Sequence, residues 1–142
     1  MDCIENRTFD ELKVGETASL ARTLTYKDIE LFAIMSGDVN PAHVDEAFAK
    51  SDMFHKIVAH GMWGGALIST VLGTQMPGPG TIYLGQTLRF RAPVKIGDTV
   101  TATVEVTAID TDKKRATLKT VCTVAGKTVI DGEATVLVPT RG

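Results

Sequence analysis

The chain has 142 residues, 44% of them hydrophobic and 23% charged, with 15 basic and 17 acidic side chains and a net charge of -2. That length fits a single domain, 1–142, able to bury roughly two-thirds of its unfolded surface. The charges are well mixed, with no basic run of the kind nucleic acid requires and no acidic tail.

Cys3 and Cys122 lie far apart and form no CxxC pair. They make no disulfide framework, so a reduced chain in a reducing compartment is expected. No Cys/His cluster has zinc-ligand spacing, and no metal is expected. The N-terminal MDCIENRTFDELKVGE has acids where a signal peptide needs basic residues. The longest apolar stretch, near 57–76, is interrupted by His60, Ser69, Thr70, Thr74, Gln75 and several glycines. It is too polar to span a membrane. A soluble cytoplasmic protein is the expectation.

In chain order, Thr17–Thr23 reads as a strand. Thr25 and Asp28 form a capping-box-like pair that starts a helix. Ile29, Phe32 and Ala33 share one face of it, and Gly37 suits a left-handed exit. The helix therefore ends where SGDVNPAH (36–43) begins. Pro41 fixes one φ angle there and pushes Asn40 towards extended conformations. The run 45–51 suits a short helix or turn, and His55 falls in a loop. A second helix follows over about 61–76. It is apolar nearly all round, which predicts burial. Its glycines, Gly61, Gly64, Gly65 and Gly73, each cost about 1 kcal/mol relative to alanine inside a helix. Close approach of another backbone is the usual compensation. PGPG (77–80) stops this helix. Strand patterns then occupy Ile82–Ala92, Thr99–Asp110, Arg115–Ala125 and Thr128–Val138, separated by turn signals at 96–98, 110–114 and 125–127. Short connections favour an antiparallel sheet, curled around the buried helix.

SGDVNPAHVDEAFA (36–49), FHKIVAHGM (54–62) and PGPGTIYLGQTLRFRAPVKIGD (77–98), with the strand-rich end, resemble the MaoC-like hydratases of the hot-dog fold. Among these, the resemblance is to the (R)-specific enoyl-CoA hydratases, and it covers nearly all the chain. It implies an α+β hot-dog fold, an antiparallel five-stranded sheet wrapped around a long central helix. It implies a homodimer, usually with the two sheets joined edge to edge. The substrate implied is an acyl-CoA thioester; coenzyme A is part of that substrate, and no separate cofactor is expected.

The implied reaction hydrates a trans-2-enoyl thioester to the (R)-3-hydroxyacyl thioester. Asp38 and His43 suit the handling of a water at carbon 3. The plainer reading makes Asp38 a turn cap and His43 a hydrogen-bonded loop histidine. Gly61, at a helix start, offers a backbone N–H to the carbonyl oxygen as it gains charge, although it could equally serve packing. Ser69 is implied near the thioester, with a serine bonded to its own helix as the equal alternative. Asn40 and Pro41 stiffen the turn, and His60 orients the loop. Arg89 and Arg91 share a strand face; with Lys95 they are candidates for the nucleotide phosphates, although a solvated sheet face is the plainer account. Trp63 narrows the acyl tunnel if it points inward. Other readings remain open: a dehydratase acting on carrier-protein thioesters, a hot-dog thioesterase, and a non-catalytic acyl-CoA-binding subunit. The resemblance is compatible with polyester precursor supply and with fatty-acid metabolism, and with a range of acyl lengths.

Overall fold

The structure is a computed structural model and describes residues 9–45 and 57–139. A short 3-10 turn, Phe9–Glu11, precedes β1 (Thr17–Thr23), α1 (Tyr26–Ser36), α2 (Pro41–Val44) and α3 (Gly61–Thr74). Four strands follow: β2 (Ile82–Phe90), β3 (Thr99–Asp110), β4 (Arg115–Val124) and β5 (Lys127–Leu137). Every second residue from Val100 to Val106, and again from Ala116 to Cys122, is buried. Successive side chains of a strand point to opposite faces, so each of these strands has one apolar face for the core. The hairpin between β4 and β5 turns on Ala125 and Gly126, both at positive φ (49° and 80°). Such a two-residue turn matches the twist of its flanking strands.

The described strands form one antiparallel sheet in the order β1-β3-β4-β5-β2. Its apolar face receives Trp63, Leu67, Ile68, Val71 and Leu72 of α3. This is the hot-dog arrangement, with α3 as the filling. Full burial of a Val, Leu or Ile side chain contributes about 1.5–3 kcal/mol, so the seam between α3 and the sheet dominates the core.

Two expectations need correction. The second helix is not buried all round: Met62, Ala66, Ser69, Thr70 and Gly73 are exposed. They recur at helical spacing, so they form one bare stripe opposite the core. In the sequence only Ser69 and Thr70 mark it, because alanine, glycine and methionine carry no sign of which face they occupy. The helix glycines also are not matched by a neighbouring backbone. A Cβ on Gly64 would collide with the Ile130 side chain, and one on Gly65 would press on Met62 and Leu88. Nothing lies within 4 Å of a Cβ on Gly73. Close approach to backbone occurs instead at Gly132 of β5, against the Thr87 carbonyl. Residues 46–51, His55 and Cys3 lie outside the described residues.

Candidate active site

The site begins with the capping of α1. Thr25 Oγ1 accepts from the Asp28 N–H at 3.2 Å, and Gly37 closes the far end at φ 78°, its N–H donating to the Ala33 carbonyl at 2.8 Å. Asp38 is the first residue beyond this left-handed turn. Its N–H donates to Ser36 Oγ at 3.1 Å, and its Oδ1 accepts from the Asn40 N–H at 3.2 Å. The turn-capping role anticipated for Asp38 is therefore present, and it uses one of two carboxylate oxygens. Pro41 then opens α2 at the first helical position, where its missing N–H has no consequence. The His43 N–H returns to the Asn40 carbonyl at 2.9 Å.

Two carbonyls decide the histidine tautomers. His43 Nδ1 lies 2.8 Å from the Val58 carbonyl oxygen, and His60 Nε2 lies 2.9 Å from the Asp38 carbonyl oxygen. A carbonyl can only accept, so each of these nitrogens carries a proton. His43 then has Nε2 as its accepting nitrogen, and His60 has Nδ1. His60 is buried (3% exposed), and its Nδ1 has no hydrogen-bond partner in the structure. The two rings stack with centroids 4.1 Å apart, and Phe32 packs against His60 at 4.8 Å. His60 thus ties Asp38, the second residue after α1, to the ring carried by α2.

One carboxylate oxygen of Asp38 and one ring nitrogen each of His43 and His60 lie within 4.8 Å of one another. Sequence spacing could not foresee this group, because His60 arrives from 22 residues beyond Asp38. As a metal ligand set it is poorly shaped. The imidazoles are stacked at an interplanar angle of 26°. An ion about 2.1 Å from a nitrogen of each would leave the plane of at least one ring. As a proton-handling group it is better shaped, with a carboxylate oxygen of Asp38 and a ring nitrogen of His43 within 4.8 Å at a mouth beside Gly61.

Two cavities share that mouth. Asp38 borders a cleft of about 360 Å³ with Ser36, Met62 and Phe32, and His43 borders one of about 390 Å³ with Asn40, Trp63 and Arg91. His60, Gly61 and Phe90 line both. Gly61 is the first residue of α3, and His60 ahead of it makes no side-chain cap bond, so the helix start keeps donors for other partners. Ser69 is not gathered at this mouth. It lies about 12 Å along α3 from Gly61 by helix rise, in a third cavity of about 710 Å³ with Gly65, Leu84 and Leu88.

The cationic candidates are dispersed. Arg89 is exposed on β2. Arg91, just past that strand, is paired with Asp131 at 2.9 and 3.3 Å. Lys95 is held by its backbone, through an isolated bridge to Val58 and an N–H bond to Asp98. Phe90 and the Val58 carbonyl were both missed in the sequence. A carbonyl leaves no residue-type signal, and an aromatic at a strand end reads as core.

Residues 11–133 match the family model described as MaoC like domain. Over 134 residues, 94% of this chain and 93% of its relative, the sequence is 58% identical to an (R)-specific enoyl-CoA hydratase of Rhodospirillum rubrum. It is 46% identical over 133 residues to a 3-hydroxybutyryl-CoA dehydratase of Methylorubrum extorquens, covering 94% and 85% of the two chains. The structure superposes on the unliganded R-hydratase PhaJ1 from Pseudomonas aeruginosa with a TM-score of 0.93 at 46% identity, covering 96% of this chain and 88% of the other. By fold, by sequence and by the extent of the match, this chain belongs to the MaoC-like domain family.

Proposed function

We propose that the protein is an (R)-specific enoyl-CoA hydratase, a hydro-lyase that adds water reversibly to trans-2-enoyl-CoA to give (R)-3-hydroxyacyl-CoA. The observation that carries this reading is the convergence of the Asp38 carboxylate and a His43 ring nitrogen within 4.8 Å, beside the start of α3. The relatives described as hydratase and dehydratase support it, since one equilibrium underlies both names.

In this mechanism a water sits between Asp38 and Nε2 of His43. One of the two takes a proton as the water oxygen bonds to carbon 3. The π electrons move towards the thioester carbonyl, whose oxygen gains charge and accepts from the Gly61 N–H. Carbon 2 then receives a proton from the acid–base pair, which returns to its starting state. The sum is addition of H and OH, with nothing else consumed. A positioned acid–base group contributes about 10²–10⁴-fold, and an oxyanion donor about 3–4 kcal/mol. Asn40, Pro41 and His60 support the pair, and Ser69 lines the adjoining cavity, where only a longer acyl chain would reach it. The nucleotide phosphates of coenzyme A are assigned to Arg89, Arg91 and Lys95; the pairing of Arg91 with Asp131 makes Arg91 the weakest of the three.

A homodimer completes the proposal. β2 is an outer strand, and its Ile82, Tyr83 and Leu84 are exposed. Covering such an edge removes an aggregation liability. No helix among the described residues is long and apolar enough to cross a membrane, and we assign the protein to the cytoplasm, where Cys122, a free thiol, stays reduced.

The deciding experiment follows crotonyl-CoA by its conjugated enoyl absorbance. Loss of that absorbance with formation of (R)-3-hydroxybutyryl-CoA is expected. No loss overturns the reading. Release of free thiol instead assigns a thioesterase, and faster turnover of carrier-protein thioesters assigns a dehydratase of that class.

A further inference from the structure

The three cavities meet at one side chain. Phe90 lines the cleft beside Asp38, the cavity beside His43 and the larger one beside Ser69, and no other of the described residues lines all three. Its ring stands over Gly61, so that a Cβ there would come to 3.0 Å from Cε1 of the ring. The backbone beneath the ring is anchored. Phe90 pairs with Ile130 of β5, and the next two amides, Arg91 and Ala92, reach the Val129 carbonyl at 2.7 and 3.3 Å. Phe90 is 54% exposed in the single chain. A fixed main chain therefore carries a loosely covered ring, and rotation about its side-chain torsions moves this wall without moving the strand.

The inner end of the His43 cavity is closed differently. Trp63 is buried there, and Ile130 fills the space that a side chain at Gly64 would need. Those residues belong to the core and have no room to yield. The space open to an extended apolar chain lies on the other side of Phe90, along α3, where Ala66, Leu84 and Leu88 line the cavity of about 710 Å³.

We propose that Phe90 determines the acyl length this enzyme accepts, an inference that rests on the hydratase reading. With its ring over Gly61 the cavity beside Ser69 stays apart from the two beside Asp38 and His43, and short enoyl chains are favoured. A smaller side chain joins the chambers and lets a longer chain run towards Ser69.

The test is kcat/KM on trans-2-enoyl-CoA of four and of eight carbons, for the unaltered protein and for Phe90→Ala, Phe90→Leu and Phe90→Trp. The eight-to-four ratio rises about tenfold or more in Phe90→Ala, rises less in Phe90→Leu, and falls in Phe90→Trp. The ratio reports selectivity rather than general damage, and Phe90→Leu keeps the test standing if the alanine variant does not fold. An unchanged ratio across folded variants overturns the proposal. A change of oligomeric state with an unchanged ratio also overturns it, and assigns the ring to a subunit contact. No turnover of either substrate by the unaltered protein overturns the hydratase reading, and this inference with it.

Discussion

Asp28 and Asp38 stand at opposite ends of α1, and their surroundings give them different work. The Asp28 carboxylate is buried and accepts from Arg22 Nε and Nη2 at 3.0 and 2.8 Å. The hydrogen bond from Arg22 is the main reason that its pKa lies below the ordinary carboxylate value, and burial opposes it. The ionised form is favoured by folding, so the pair stabilises the fold above the ordinary carboxylate pKa and loses this effect as pH falls through the lowered one. Asp28→Asn is expected to lower stability by about 1–2 kcal/mol at neutral pH, and to flatten the acid side of a pH series of urea melts. Unchanged curves would make the pair ornamental. Asp38 borders a cleft instead, and its backbone carbonyl, not its carboxylate, carries the bond from His60. Asp38→Asn and His43→Gln should each lower hydration turnover by about 10²–10⁴-fold with the circular dichroism unchanged. Near-normal turnover in either would remove the acid–base assignment. The nearness of Asp38 and His43 could be read from one short stiff segment. That His60 stacks on His43 could not, because tertiary packing brings it there.

The helices and strands were readable to within about two residues where the signal was local. The Thr25 cap and the Gly37 exit follow from one-turn chemistry, and β1 and β3 follow from alternation. The bare stripe of α3 was not readable, since burial depends on what the sheet covers. The glycines of that helix allow a paired test. At Gly64 an added methyl meets Ile130 in a close-packed seam, so Gly64→Ala should destabilise by about 1–3 kcal/mol. At Gly73 the same methyl meets nothing within 4 Å, so Gly73→Ala should be neutral or stabilise by up to about 1 kcal/mol. Thermal melts of the two variants decide the matter, and equal shifts would refute the packing account. The buried Cys122 borders the same seam. Burial pushes its thiol up to about 11, and it donates to the Gly64 carbonyl at 3.7 Å. It should resist alkylation in the native protein and react on unfolding, as mass spectrometry would show.

Among the described residues the sheet ends on β1 and β2, and the second is the apolar edge. Light scattering should report twice the chain's mass, and Leu84→Lys, placing a charge on that edge, should shift the protein towards monomer. A monomer at micromolar concentration in the unaltered protein would count against the dimer. One small feature reaches further than its size suggests. The imidazole of His43 takes its orientation from the main chain at Val58, which is itself held by a bridge to Lys95. The anchor is thus an atom that every amino acid possesses. Substitutions at position 58 that keep the core filled leave the ring aimed as before, whereas deleting a single residue between 57 and 59 swings the anchor to the opposite side. Through that stretch, the reaction constrains the spacing of the chain more tightly than its spelling.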